Sequence, residues 1–355
     1  MTRGFFRGQV ASLSPSAFAL VMATGIVSIA SQLLSFRLVA RVLLWINVLF
    51  FIIQLVALIS RLILFPAAAF KDLATHAKGA GYLTVTAATS VLGTQLFLLY
   101  RLEQVALCFW WAALVSWALI LYSFFILVTL SPRKPSLEDG MNGGWLLLTV
   151  ATQSICVLGS LLSSSFPWSA SIVLFIDASF YLLGFLLYVV LITIIIYRFT
   201  FYPMQPGEFL PNYWIDMGAG AISTLAGATL CKQLPGIAGL NELLPVIKAL
   251  TLFTWAVGTW WIPVVLIIEV WRHKRIPLRY SANYWSMVFP LGMYTVATFR
   301  LADVYPYSFL LLIAHAFLFL AWAAWLITFI GMCWQGKTRA VPSKPEGTIN
   351  SRPIM

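Results

Sequence analysis

Charge is what this sequence has least of. Aspartate, glutamate, lysine and arginine make up 9% of its 355 residues, where soluble domains carry roughly 25%. Too little polar surface remains to keep a chain of this size in water, which excludes a soluble enzyme or soluble binding module. Acidic residues are scarcer than basic ones, 11 against 22, and histidine occurs three times, at His76, His273 and His315. The chain has no HExxH, no histidines paired across two spans for haem, no Walker loop and no nucleophile elbow, the parts an ATP-driven pump or membrane redox enzyme would need. The expectation is therefore a non-enzyme with no cofactor and no metal. Cys108, Cys156, Cys231 and Cys333 are dispersed without a CxxC pair, so neither a disulfide framework nor a metal knuckle is indicated.

What the chain does have is apolar length. Hydrophobic residues are 61% of the total, and runs of about 20, enough to cross a ~30 Å hydrocarbon core, recur from Ser14 to Trp334. Nine polar breaks divide them into ten expected spans, at about 15–34, 42–65, 79–99, 104–130, 142–162, 169–199, 213–231, 243–271, 282–301 and 306–334. The first run follows two arginines, as in a signal peptide, but it is a full span resembling the later ones and is expected to be retained. The expected organisation is a cytoplasmic segment 1–14, a ten-helix transmembrane domain 15–334 and a polar, disordered tail 335–355.

Basic residues report orientation, because lysine and arginine stay on the cytoplasmic side. Of the 22, sixteen fall on flanks of one side and five on the other, with Lys248 left inside a span. Both termini are expected in the cytoplasm, in a multi-pass protein of the plasma or inner membrane. The net charge of +11 would suggest nucleic acid in a soluble protein; here it flanks lipid, so membrane lipid is the expected partner and nucleic acid is not.

Two kinds of span alternate. The odd spans are rich in small and hydroxyl residues, as in "KGAGYLTVTAATSVLGTQ", and the even spans are bulky, as in "CFWWAALVSWALILYSFFILV". Five helical hairpins follow, each a small-sided helix and then a bulky one. Small residues allow close helix approach, and bulky surfaces suit lipid. The expected fold is all-α, an inner ring of five helices around a pore inside an outer ring of five. At mid-depth the odd spans carry Thr24, Gly25, Thr86, Thr89, Thr152, Gln153, Ser223 and Thr224, hydroxyls and amides suited to an anion-conducting wall. The ninth span contains Pro290 and Gly292, which weaken a helix beside the bulky Phe289. On helical spacing Phe289 shares a stripe with Met293, Val296 and Arg300.

Three words in these spans resemble the tellurite-resistance/dicarboxylate transporter family, which includes the slow anion channels of plant guard cells: "MATGIVSIA" (Met22 to Ala30), "YWIDMGAGAISTLAG" (Tyr213 to Gly227) and "WSMVFPLGMYTVAT" (Trp285 to Thr298). The resemblance covers about residues 15–334. It implies a homotrimer whose protomers each hold a pore plugged at mid-membrane by a phenylalanine, and the ninth-span match carries that gate role onto Phe289. Pro290 and Gly292 would then bend the span and aim the ring across the axis. Depth agrees: about seven residues into the span, at 1.5 Å each, is roughly 10 Å. Without the resemblance, Phe289 reads as a lipid-facing or core aromatic.

The charges inside spans leave alternatives open. Arg300 is a vestibule residue that concentrates anions, or a snorkelling arginine, or a partner of Asp303. Asp177 lies on an even span, so packing competes with proton coupling. Asp216 is expected to cap the seventh span, and Glu269 to pair on the surface with Arg272 and His273. The expected function is passage of a small anion through a gated pore. The alternative is proton-coupled transport of a malate-like dicarboxylate or of sulfite; any link to tellurite resistance comes from the family resemblance alone.

Overall fold

In the computed structural model, the backbone is described for residues 2–237, 239–277 and 280–340, with the side chains of 7–335 among them. These residues form helices joined by short loops. A short helix α1 (Thr2–Ala11) precedes α2 (Ala19–Leu33) and α3 (Arg37–Leu64). After the short α4 (Pro66–Leu73) come α5 (Thr84–Tyr100) and α6 (Glu103–Leu130), then α7 (Leu137–Gly140), α8 (Leu147–Leu161) and α9 (Ala170–Phe201). The last four are α10 (Ile215–Gln233), α11 (Leu244–His273), α12 (Trp285–Val304) and α13 (Ser308–Ala340). The last helix thus continues past Trp334, and 341–355 of the expected tail lie outside the described residues.

Among the described residues, seven helices are long and apolar enough to cross a membrane: α3, α6, α9 and α13, and α5, α8 and α11 with their preceding turns. The other three expected spans, α2, α10 and α12, fall outside that set for physical reasons. The first has 15 residues, and the other two are diluted by glycine, serine and threonine. Burial separates the two helix types. In the most apolar stretches of α5 and α8, 78% and 83% of residues are buried; the bulky helices range from 17% to 33%. The bulky helices instead expose large side chains such as Leu38, Leu130 and Leu312, as lipid-facing surfaces do.

Each small helix packs on the bulky helix that follows it: α2 on α3, α5 on α6, α8 on α9, α10 on α11, α12 on α13. The small helices also pack on one another in the cyclic order α2, α5, α8, α10, α12 and back to α2. Glycine sets the closest approaches. A Cβ on Gly292 of α12 would come 2.8 Å from Ile26 Cγ2 of α2, and one on Gly218 of α10 would come 2.8 Å from Pro290 Cγ. All five small helices start through turns of the i to i+3 type, at Ser14–Phe18, Gly79–Leu83, Gly143–Leu146, Pro211–Trp214 and Ala282–Tyr284. Four of those five turns, and Ser16 from the remaining one, or residues beside them, border one cavity, so the five helices start at a common end, the near mouth; the opposite end is the far mouth.

Candidate functional site

Proline 290 leaves the Ser286 carbonyl without its usual partner, because residue 290 would donate to residue 286 and proline has no N–H. Even so, α12 is helical from Trp285 to Val304. The residues that follow set the facing of this helix. Pro290 abuts Gly218 of α10, and Gly292 abuts Ile26 and Val27 of α2. At 100° per residue Phe289 falls between those two directions, on the stripe of Met293, Val296 and Arg300.

Met293, Val296 and Arg300 line a far cavity of about 30 Å³ to which all five small helices contribute, including Ile26 of α2, Ser90 and Thr94 of α5, Ser154 of α8, and Ile222 and Thr229 of α10. Ser286, one turn before Phe289, lines a near cavity of about 40 Å³ together with Ser16, Lys78, Asn142, Asn212 and Asn283. Phe289 is 1% exposed and stands between the two, about 4.5 Å along the helix from Ser286 and about 6 Å from Met293 at 1.5 Å per residue. Phe289 itself lines neither cavity.

Most of the hydroxyls and amides expected in the pore wall have defined partners. Thr24 accepts from Trp325 Nε1 at 3.0 Å, Thr152 accepts from Trp117 Nε1 at 2.9 Å, Thr86 bonds Ser116 at 2.9 Å and Thr224 bonds Thr254 at 3.0 Å. Gln153 donates to the Tyr181 carbonyl at 3.1 Å. All five partners lie on bulky helices. Thr89 and Ser223 donate to carbonyls of their own helices, and Gly25 faces Val91 and Asn47. Neither cavity is bordered by these eight. Thr24 and Thr152, facing the bulky layer, satisfy indole N–H groups that would otherwise be buried unpaired. The polar groups that do border the far cavity, Ser90, Thr94, Ser154 and Thr229, went unrecognised in the sequence, although Ser90 and Thr94 continue the four-residue spacing from Thr86.

Arg300 borders the far cavity and at the same time donates to Asp303 at 3.2 Å. Asp177 is buried on α9, where Ser160 of α8 donates to it at 3.1 Å. Asp216 is not the expected cap. Trp214 holds the N-cap position without a side-chain bond, and both Asp216 carboxylate oxygens are buried without a partner. Glu269 does pair with Arg272 at 2.9 Å and His273 at 2.8 Å, but in a buried position, where Trp214 Nε1 also donates to it at 3.4 Å. His76, at the near cavity, is held below the ordinary histidine pKa first by burial and then by the Lys134 charge. The cysteines are free thiols, and no group of three metal-ligating side chains occurs among the described residues.

An all-helical chain with lipid-compatible bulky helices around small ones, and with a cavity at each end of the small-helix core, defines an integral membrane protein of the transporter and channel class. Residues 12–333 match the voltage-dependent anion channel family. The chain belongs to that family, which the words of its first, seventh and ninth spans resemble. It is 29% identical to an uncharacterized transporter of Methanocaldococcus jannaschii over 328 residues, 89% of this chain and 91% of the relative. It is 38% identical to an uncharacterized membrane protein of Mycobacterium tuberculosis over 148 residues, 41% of this chain and 75% of the relative. A sulfite efflux pump of Trichophyton rubrum is 22% identical over 347 residues, 90% of each chain. The family is one of channels and transporters, not enzymes.

Proposed function

We propose that the protein conducts small anions along the axis of its five small helices, with Phe289 as the plug. In this reading α2, α3, α5, α6 and α8 to α13 all span the membrane, the small ones form an inner ring and the bulky ones an outer ring, and both termini are cytoplasmic. The near mouth is then the cytoplasmic one. The observation that supports the reading is a cavity at each end of the small-helix core, the far one bordered by all five small helices, with the buried Phe289 on α12 between Ser286 of the near cavity and Met293 of the far one. Met293 and Val296 line the outer half, Arg300 draws anions to the far mouth, and Lys78 does so at the near mouth. Pro290 and Gly292 seat α12 against α10 and α2 so that the ring points to the axis. Assembly as a homotrimer in the plasma or inner membrane follows the family resemblance.

The mechanism needs no chemical step. Anions gather at basic mouths, lose part of their hydration among hydroxyls and backbone dipoles, and pass when the aromatic ring leaves the axis. Thiol accessibility tests the path. In a background with the native cysteines replaced, Ser286→Cys reacts with a water-soluble reagent added at the near side. Val296→Cys reacts from that side only when Phe289→Ala is also present; reaction of Val296→Cys with Phe289 intact would refute the plug.

A second reading, proton-coupled transport of sulfite or a malate-like dicarboxylate, is favoured by Asp177 and Asp216. Both are fully buried, and neither has a cation within ion-pair distance among the described residues. Buried carboxyls of this kind are candidates for carrying protons.

A further inference from the structure

Lys248, the basic residue that falls inside an apolar span, is a charge the pore does not use. It lies near the start of α11, about 6 Å past Leu244 at 1.5 Å per residue. Its side chain is partly buried, and among the described residues no carboxylate lies within ion-pair distance of it. Around it on the same helix Val246, Leu252 and Phe253 are exposed, as lipid-facing residues are. A cation at this depth is costly unless it reaches the interface or meets an anion.

Lys248 borders a third cavity, of about 280 Å³, at the far end of the helices, together with Cys231 and Lys232 of α10 and Asp303 and Val304 of α12. Its walls are tied together: the Tyr305 hydroxyl, just past α12, donates to the Lys248 carbonyl at 3.1 Å. The charges do not cancel. Asp303 Oδ2 is 3.2 Å from Arg300 and 3.9 Å from Lys232, so two lysines face one carboxylate that a third cation already holds more closely. At 3.9 Å Lys232 is beyond hydrogen-bond distance, and its ammonium donors stay available. An occupant that fits is therefore anionic, and it is large: the cavity has room for about twenty waters at roughly 10–15 Å³ each. It also meets the apolar face of α11 one turn further on, at Leu252 and Phe253.

We infer that this cavity is the headgroup site of an anionic phospholipid, with the phosphate held by Lys248 and Lys232 and the acyl chains laid along Leu252 and Phe253 of α11. Basic pockets between membrane helices bind acidic headgroups in this way. A free phosphate would meet the same two lysines, but only a lipid also covers the apolar face beside them. The site requires α11 to span the membrane and requires no conducting pore, so it stands or falls apart from Phe289.

The test is native mass spectrometry of the purified full-length protein in neutral detergent, titrated with phosphatidylglycerol or with phosphatidylcholine, and with inorganic phosphate as competitor. Each lysine near a bilayer surface adds about fivefold toward an acidic lipid. Wild type therefore binds phosphatidylglycerol about tenfold or more tightly than phosphatidylcholine, and millimolar phosphate does not displace it. Lys248→Gln weakens phosphatidylglycerol about fivefold and leaves phosphatidylcholine unchanged. Lys71→Gln, an exposed lysine of α4 at the opposite end of the helices, changes neither. Val304→Trp fills the cavity with its charges retained and removes the tight site. Equal affinities for the two lipids overturn the inference, as does an equal loss in Lys71→Gln and Lys248→Gln, the mark of diffuse charge attraction. Displacement by inorganic phosphate overturns it in favour of a free-anion site. If Val304→Trp fails to fold, the two lysine variants still decide.

Discussion

Replacing Thr152 by valine separates a structural hydroxyl from a conducting one. Thr152 accepts from Trp117 Nε1 at 2.9 Å and donates to the Leu148 carbonyl at 2.7 Å, and it is fully buried. Valine is nearly isosteric, so the change removes the acceptor and leaves the indole N–H of Trp117 facing apolar surroundings. Interhelical hydrogen bonds in membrane proteins average about 0.6 kcal/mol and reach about 1.7 kcal/mol. An unsatisfied buried donor costs about 1–3 kcal/mol, so the expected loss is about 1–2 kcal/mol. Trp117→Phe removes the donor, and adding Thr152→Val to it should then cost less than Thr152→Val alone, a coupling measurable by a double-mutant cycle of unfolding in mixed micelles. Currents measured with Phe289→Ala in the background should not change. Unchanged stability together with a several-fold fall in current would place the hydroxyl on the pore axis and refute the assignment.

Other outcomes follow from the same geometry. Ser154→Ala or Thr94→Val, at the far cavity, should lower conductance in the Phe289→Ala background with little loss of stability, read by bilayer recording and thermal unfolding. Gly292→Val sets a Cβ 2.8 Å from Ile26 Cγ2 and 3.1 Å from Val27 Cγ2, and overpacking of this kind costs about 1–3 kcal/mol; unaltered thermal stability would contradict the close approach. Arg300→Gln should reduce current most at low ionic strength, because 0.1 M salt screens beyond about 10 Å; an equal reduction at all salt concentrations would mean a packing role. Asp177→Asn keeps an acceptor for Ser160 and should fold, so loss of proton-dependent uptake by liposomes would favour the coupled reading.

The alternation of helix types was legible in the sequence because lipid and protein interior select side chains of different size. Small residues in "GAGYLTVTAATS" and bulky ones in "CFWWAALVSWAL" separate the two kinds of helix by composition alone. The stripe Phe289, Met293, Val296, Arg300 was legible too, since helical periodicity survives Pro290. Hydroxyl direction was not. Thr86 and Ser90 are one turn apart, yet Thr86 meets Ser116 of the bulky layer and Ser90 borders the far cavity. A small drift about the helix axis decides between them, and composition carries no record of it. Nor does spacing tell an unbonded Asp216 from a cap. Asn142, Asn212 and Asn283 are visible as letters, but their convergence at the near cavity appears only when the five helices start at a common end.

The most direct test of the pore is current through purified protein in planar bilayers, wild type beside Phe289→Ala, with chloride, nitrate, sulfite and malate in turn. A plugged axial pore predicts little current in the wild type and large, anion-selective current once the ring is removed. Equal currents in the two, with equal amounts of correctly folded protein, would contradict it.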